Sequence, residues 1–213
     1  EDGKFEAYSP IAVQGTLLAT PDSISGAGTE GSANIDVQFG YTGAYSAAAH
    51  GLEPANIISD NVKQDPDQTF DPSDVASGGA NVHEFTLSGA AFFRIAIPPS
   101  ATEAEADLDV FVYDPAGNQV ASSTNGGTDE LVDITFPDDG VWKVYVHGWQ
   151  APGGDSDYNL YSWIISATPG GSLTIDSAPT AAKIGESGTV AVSWSGLEAD
   201  VEYLGAVSHS NDS

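Results

Sequence analysis

Short runs that alternate polar and apolar residues, cut at close intervals by Gly, Pro and Asp, recur along this chain, and no segment keeps a helical period. That pattern restricts the fold to strands joined by turns. The alternation is clearest between Ala106 and His147. In Asp107-Leu108-Asp109-Val110-Phe111-Val112-Tyr113, the residues Leu108, Val110 and Val112 share one face, and Asp107, Asp109, Phe111 and Tyr113 share the other. The following Asp114-Pro115-Ala116-Gly117-Asn118 reads as a turn, because Pro fixes φ and Gly accepts positive φ. Further on, Pro137-Asp138-Asp139-Gly140 reverses Leu131–Phe136 into Val141–His147, where Trp142, Val144 and Val146 are expected to face the core.

Other strands are expected at Ala33–Phe39, Tyr41–Ala49, Leu52–Val62, Val82–Leu87, Ala91–Ile97 and Tyr158–Ser166. Breaks are expected at His50-Gly51 and Glu53-Pro54, and loops at Gln64–Gly79 and Ala151–Asp157. Pro169-Gly170-Gly171 suggests a boundary, after which Ser172–Ile175, Thr189–Trp194 and Glu202–Val207 read as three strands. Three strands are too few to close an immunoglobulin-like sandwich of about seven. The expected class is therefore all-β: a jelly-roll or β-sandwich domain followed by a partial immunoglobulin-like sandwich. The divisions expected are 1–14 as the trailing strand of a preceding domain, 15–168 as the main sandwich and 169–213 as a truncated unit.

The chain has 213 residues, 40% of them hydrophobic, enough to bury a sizeable core. With 31 acidic against 5 basic residues its net charge is -26, which argues against nucleic acid and anionic membranes as partners and reads either as suited to cations, such as Ca²⁺ or basic or high-salt surroundings, or as a soluble surface that resists aggregation. There is no Cys, so neither a disulfide nor a thiolate metal site can form. No apolar run reaches the ~20 residues of a membrane span. The start at Glu1-Asp2-Gly3, with no Met and no leader, suggests a fragment of something larger. The sequon Asn211-Asp212-Ser213 is a chance match at a chain end, and Gly126-Gly127 and Gly153-Gly154 are turns, not phosphate loops, since neither precedes a helix.

Several segments in order resemble the region that follows the catalytic domain in secreted subtilisin-like serine peptidases of bacteria. They are Ser9-Pro10-Ile11-Ala12-Val13, Phe39-Gly40-Tyr41-Thr42-Gly43, His50-Gly51-Leu52, Arg94, Ala106-Asp107-Leu108-Asp109-Val110, Val144-Tyr145-Val146-His147-Gly148-Trp149 and Tyr203-Leu204-Gly205-Ala206-Val207. The resemblance implies the end of a fibronectin type III-like domain, a pre-peptidase C-terminal (PPC-like) domain and an immunoglobulin-like unit. It also implies a secreted, extracellular location and the parent's catalytic domain as partner. The family's nucleophile sits in a Gly-Thr-Ser-Met context, and a chain without Met cannot contain it. His50, His83, His147 and His209 are expected in structural or exposed roles. The chain itself is expected to be non-catalytic, stabilising or targeting the enzyme.

Two sites are candidates. Asp107 and Asp109 lie about 6 to 7 Å apart along a strand, and Ca²⁺ draws on about six to eight oxygens, so a site needs more donors from Asp114, Asn118, Asp155 and Asp157. Calcium near this edge is what the resemblance implies. The alternative is that Asp107 caps a strand and Asp109 pairs with Arg94, the cation inside an apolar run. Among Trp142, Tyr145, Trp149, Tyr158, Tyr161 and Trp163, only Tyr145 and Trp149 look free to stack on a protein or polysaccharide substrate. A second class of function is a self-standing structural or adhesive β-module that assembles by strand pairing at the open edge of the unfinished unit.

Overall fold

The computed structural model describes residues 17–75, 79–102 and 105–211. The strand expected within 1–14 and the last two residues of the sequon lie outside them. The described chain forms sixteen strands and one 3₁₀ turn, as expected for an all-β protein.

Eight consecutive strands make the larger sandwich: β5 (Asn56–Lys63), β6 (Ala80–Leu87), β7 (Ala90–Ile97), β8 (Asp107–Tyr113), β9 (Gln119–Ser123), β10 (Glu130–Thr135), β11 (Gly140–Gln150) and β12 (Asp155–Ser166). They pair antiparallel as β5 with β12, β6 with β11, β7 with β10 and β8 with β9. Wrapping that doubled ribbon adds the pairs β7 with β12 and β8 with β11, giving two four-stranded sheets ordered β10-β7-β12-β5 and β6-β11-β8-β9. This is jelly-roll topology. The inward residues of each strand form its core, among them Phe85, Phe93, Ile95, Leu108, Val110, Val112, Trp142, Val144, Val146 and Leu160. Trp142, Val144 and Val146 face inward as expected, and burying a side chain of this kind is worth about 1.5–3 kcal/mol.

A smaller sandwich surrounds this one in sequence. Its main sheet runs β1 (Leu18–Ala19), β2 (Gly31–Phe39), β15 (Ser187–Trp194), β13 (Leu173–Ser177). Facing it are β3 (Gly43–Ala44) with β14 (Ala181–Ala182), and β4 (Ser46–Pro54) with β16 (Tyr203–Ser210). Its core joins Ile35, Val37, Phe39, Tyr45 and Ala49 to Leu173, Val190 and Val192. The strands after residue 169 therefore do not stand as an open three-stranded unit. They pair with residues 18–54, and the jelly roll is inserted between the two halves. The pairing also carries β4 straight through His50-Gly51, where a break was expected, with a bulge between Leu204 and Gly205 on the partner strand.

The two sandwiches meet where the chain leaves and re-enters. Gly51 N–H donates to Gly170 O and Gly170 N–H to Ala49 O, both at 3.0 Å, and Ala55 N–H donates to Glu202 O at 2.8 Å. A Cβ on Gly171 would lie 2.3 Å from Gly51 O, so only glycine permits that approach. Trp163 and Ile165 are buried on β12, which lies against β4 and β16.

Candidate functional site

The alternation of β8 places Asp107, Asp109, Phe111 and Tyr113 on the outer face of the β6-β11-β8-β9 sheet, as the sequence suggests. Across the ladder, His147 of β11 is paired with Asp109. His147 Nδ1 is 3.2 Å from Asp109 Oδ2, and its Nε2 is 2.7 Å from Asp65 Oδ2. The imidazole is 1% exposed and Asp65 2% exposed, so the three groups form a buried acid-base-acid cluster. Burial alone would lower the His147 pKa, but hydrogen bonds to Asp109 and Asp65 outweigh it and raise it. Asp65 is pulled up by burial, yet the hydrogen bonds from His147 and from the backbone N–H groups of Asp67 and Thr69 hold it below its ordinary value.

Asp65 belongs to the segment expected to be a plain loop. It is a strap over the sheet: Phe70 stacks on Phe111 with centroids 4.1 Å apart and planes 7° apart, and meets Tyr113, Tyr145 and His147 edge-on. Asp65 N–H donates to Gly148 O at 2.8 Å, and the Gln64 and Gln68 amides donate to Trp149 O at 2.6 and 3.0 Å. Tyr145 is consequently 6% exposed and is not free to bind, contrary to expectation; Phe70 already covers it. Trp149 is 36% exposed and remains accessible.

Asp109 does not pair with Arg94. The register sets Arg94 opposite Asp133 on β10, with Nε and Nη2 donating to its two carboxylate oxygens at 2.6 and 2.7 Å. β7 and β8 lie in different sheets and their polar residues point to opposite sides of the sandwich. Nor are the five aspartates brought to one place. Asp114 sits past the far end of β8, roughly 23 Å from Asp107 at ~3.3 Å per residue. Its carboxylate accepts the Asn118 N–H at 2.8 Å and holds the turn. Asp155 and Asp157 belong to β12, opposite Lys63 and Asn61, and Asp157 accepts from the Asn61 amide at 2.8 Å. The five do not form one calcium cradle, and among the described residues no three His, Asp or Glu side chains are placed to hold a metal ion.

A carboxylate that sequence reasoning passed over lies closer. Glu130 opens β10 and is 1% exposed; its Oε1 accepts the Asn125 N–H at 3.1 Å, and its Oε2 is buried without a partner among the described residues. Burial, reinforced by the charges of Asp109 and Asp107, pushes its pKa up to about 7 against hydrogen bonds from Ser123 and Asn125. Asp107 is raised as well, by burial and by Asp109, while it accepts the Gly127 N–H at 3.0 Å. The sequence signal for Glu130 is its spacing two residues before Val132, which alternation places on the inward face of β10, where Asp133 is not.

The remaining histidines are held by the fold. His83 Nε2 lies 2.7 Å from Tyr158 Oη, and His209 Nδ1 2.6 Å from Tyr45 Oη. His50, 4% exposed at the junction of the sandwiches, has Nδ1 3.0 Å from Ser166 O and Nε2 2.9 Å from Ser208 Oγ. With Nδ1 donating to the carbonyl, Ser208 donates to Nε2, the polarity of a nucleophile and its base. Ser208 lies in mid-strand, however, paired opposite Ala48, and its neighbours are committed to the β4 ladder.

Comparison with known proteins bears on part of the chain. No curated protein matches it. Among solved structures, a chain of the glycosylation associate protein (Gap123) complex from Streptococcus agalactiae is similar over 70% of this chain and 45% of that one, at 10% identity and a TM-score of 0.25. The present chain thus spans less than half the length of that structure. The family model of the bacterial pre-peptidase C-terminal domain matches residues 79–148. Those residues run from the start of β6 into β11 and include the D-L-D strand and His147, so the family match falls within the jelly roll.

Proposed function

We propose that this chain is a non-catalytic accessory region of a secreted subtilisin-like serine endopeptidase of bacteria, stabilising the enzyme or holding it at its substrate. The observation that carries the reading is the pre-peptidase C-terminal match over the jelly-roll strands. Supporting it, each histidine is engaged in a structural hydrogen bond, and the carboxylates of the best-formed polar cluster neutralise His147 instead of facing a cleft. The net charge of -26 suits a domain that stays dispersed outside the cell. The assembling-module reading loses its main ground, since the strands after residue 169 find partners within the chain.

The reading is tested by labelling the purified chain with a serine-directed fluorophosphonate. No adduct is expected; an adduct on Ser208 would overturn the non-catalytic assignment.

A further inference from the structure

We propose that the outer face of β5 and β12 carries a binding groove for an uncharged polysaccharide. Alternation turns Ile58 and Val62 of β5 and Leu160 of β12 into the core, and so sets Ile57, Ser59 and Asn61 beside Asp157, Asn159 and Tyr161 on the outside. The register pairs them in rungs: Asn61 with Asp157, Ser59 with Asn159, Ile57 with Tyr161. Over this ladder lies an open groove of about 710 Å³, within the roughly 300–1,000 Å³ of small-ligand sites. Ser100, in the 3₁₀ turn Pro99–Ala101, and Thr102, which bridges to Tyr158, line its other side.

Every side chain lining the groove carries a hydroxyl, an amide or a carboxylate, and none is Lys or Arg. An apolar ligand would strip water from these groups and return nothing, and the carboxylates of Asp60 and Asp157 repel an anionic one. A ligand rich in hydroxyls supplies donors to the carboxylates and acceptors to the amides. The side chains are already in position for it. Ser59 Oγ donates to Asn159 Oδ1 at 2.6 Å and Asn61 Nδ2 to Asp157 Oδ1 at 2.8 Å, which leaves Asn159 Nδ2 to donate and Asp157 Oδ2 to accept. One rung further, Tyr161, half-buried, and Ile57, 49% exposed, add the apolar strip on which the C–H face of a pyranose ring packs. A basic peptide would meet the two carboxylates, but each already accepts a hydrogen bond from Asn61, Asp60 Oδ1 from its N–H at 2.9 Å, and hydroxyls and amides outnumber them. The groove is separate from exposed Trp149, which belongs to β11 in the other sheet. Binding here is a property of this chain alone, so its absence would leave the peptidase reading untouched.

Titration of the ¹⁵N-labelled chain with cellohexaose, chitohexaose and maltohexaose, followed by amide chemical shifts, reads the groove directly. Saturable shifts confined to β5, β12 and residues 99–102 are expected with at least one of the three sugars. Asp157→Ala is expected to weaken that binding about tenfold, Asn159→Ala several-fold and Trp149→Ala not at all. The shift map of the unaltered chain decides the matter even where a variant folds poorly. No saturable shift with any of the sugars, shifts that centre on Trp149, or saturation of the same amides by hexalysine but by no sugar, would overturn the proposal.

Discussion

His147 is the residue on which the outer face of the jelly roll depends, because its charge is what makes two buried carboxylates tolerable. Replacing it with Gln leaves Asp65 and Asp109 facing each other without a cation, and breaking a buried pair in this way costs about 3–5 kcal/mol. A fall of that size in urea-unfolding free energy, with an unchanged denaturant slope, is the expected outcome. Its folded pKa lies above the unfolded value near 6.5, so its contribution is complete below that pH and is lost as pH rises through the folded value. Glu130 acts in the same direction. Between about pH 4.5 and 7 the folded state keeps a proton that the unfolded chain releases, which removes about 3 kcal/mol of stability across that window as pH rises. Asp65, held low, works only at the acid end, where its contribution is lost as pH falls below the ordinary carboxylate value. Unfolding midpoints are therefore expected to be highest in the mildly acidic range and to decline through neutrality, and Glu130→Gln should flatten the lower part of the decline. A midpoint that climbs from about pH 5 to 8 would contradict both assignments. At this scale the sequence shows which face Asp109 occupies, since alternation settles that. It does not show the partner, because Asp65 comes from a strap 82 residues away from His147. It likewise pointed to Arg94 as a cation needing a carboxylate, but only the β7–β10 register selects Asp133.

The strap over residues 64–75 is the element whose role was least legible. Pro66, Pro72 and the aspartates mark it correctly as irregular backbone, while Phe70, a lone large apolar residue in polar surroundings, was the hint that it packs against something. Its closeness to the sheet is written in glycine: a Cβ on Gly148 would lie 2.3 Å from Lys63 O, and one on Gly79 2.5 Å from Asp65 N. Gly148→Ala is expected to cost about 1–3 kcal/mol through forced backbone displacement. Phe70→Ala should cost a similar amount, and limited proteolysis should then cut within the strap much faster than in the unaltered chain. Unchanged cleavage would mean that the stack on Phe111 does not hold the strap. The start of β12 was also misread, as a Gly- and Asp-bearing loop, because pairing with β5 draws Asp155 and Asp157 into a strand despite their low strand propensity. That placement separates them from Asp107. If the chain responds to calcium in a calorimetric titration, an Asp114→Asn, Asp155→Asn, Asp157→Asn variant is expected to respond equally, and a lost response would show that these side chains do share an ion.

At the scale of the molecule, one sandwich is threaded through another, and the sequence could not show it because pairing between residues 18–54 and 173–210 leaves no local trace. Each strand was visible by its alternation, yet the partners lie on either side of an eight-stranded insertion. The two cores are separate clusters, so residues 55–167 alone are expected to unfold cooperatively as a β protein, while residues 169–213 alone should show no ordered sheet by circular dichroism. An ordered 169–213 fragment would contradict the nested arrangement. The separation also fits a module added to an enzyme, with its own core and an acidic surface. The proposed support of a peptidase without a share in its chemistry is tested by comparing the full-length parent protein with a form lacking residues 17–210, measuring turnover of a small peptide and thermal half-life in parallel. Unchanged turnover with a half-life shortened several-fold, or with binding to an insoluble protein substrate lost, is the expected result. Equal half-life and equal substrate binding, or loss of small-peptide turnover in a folded truncated enzyme, would contradict it.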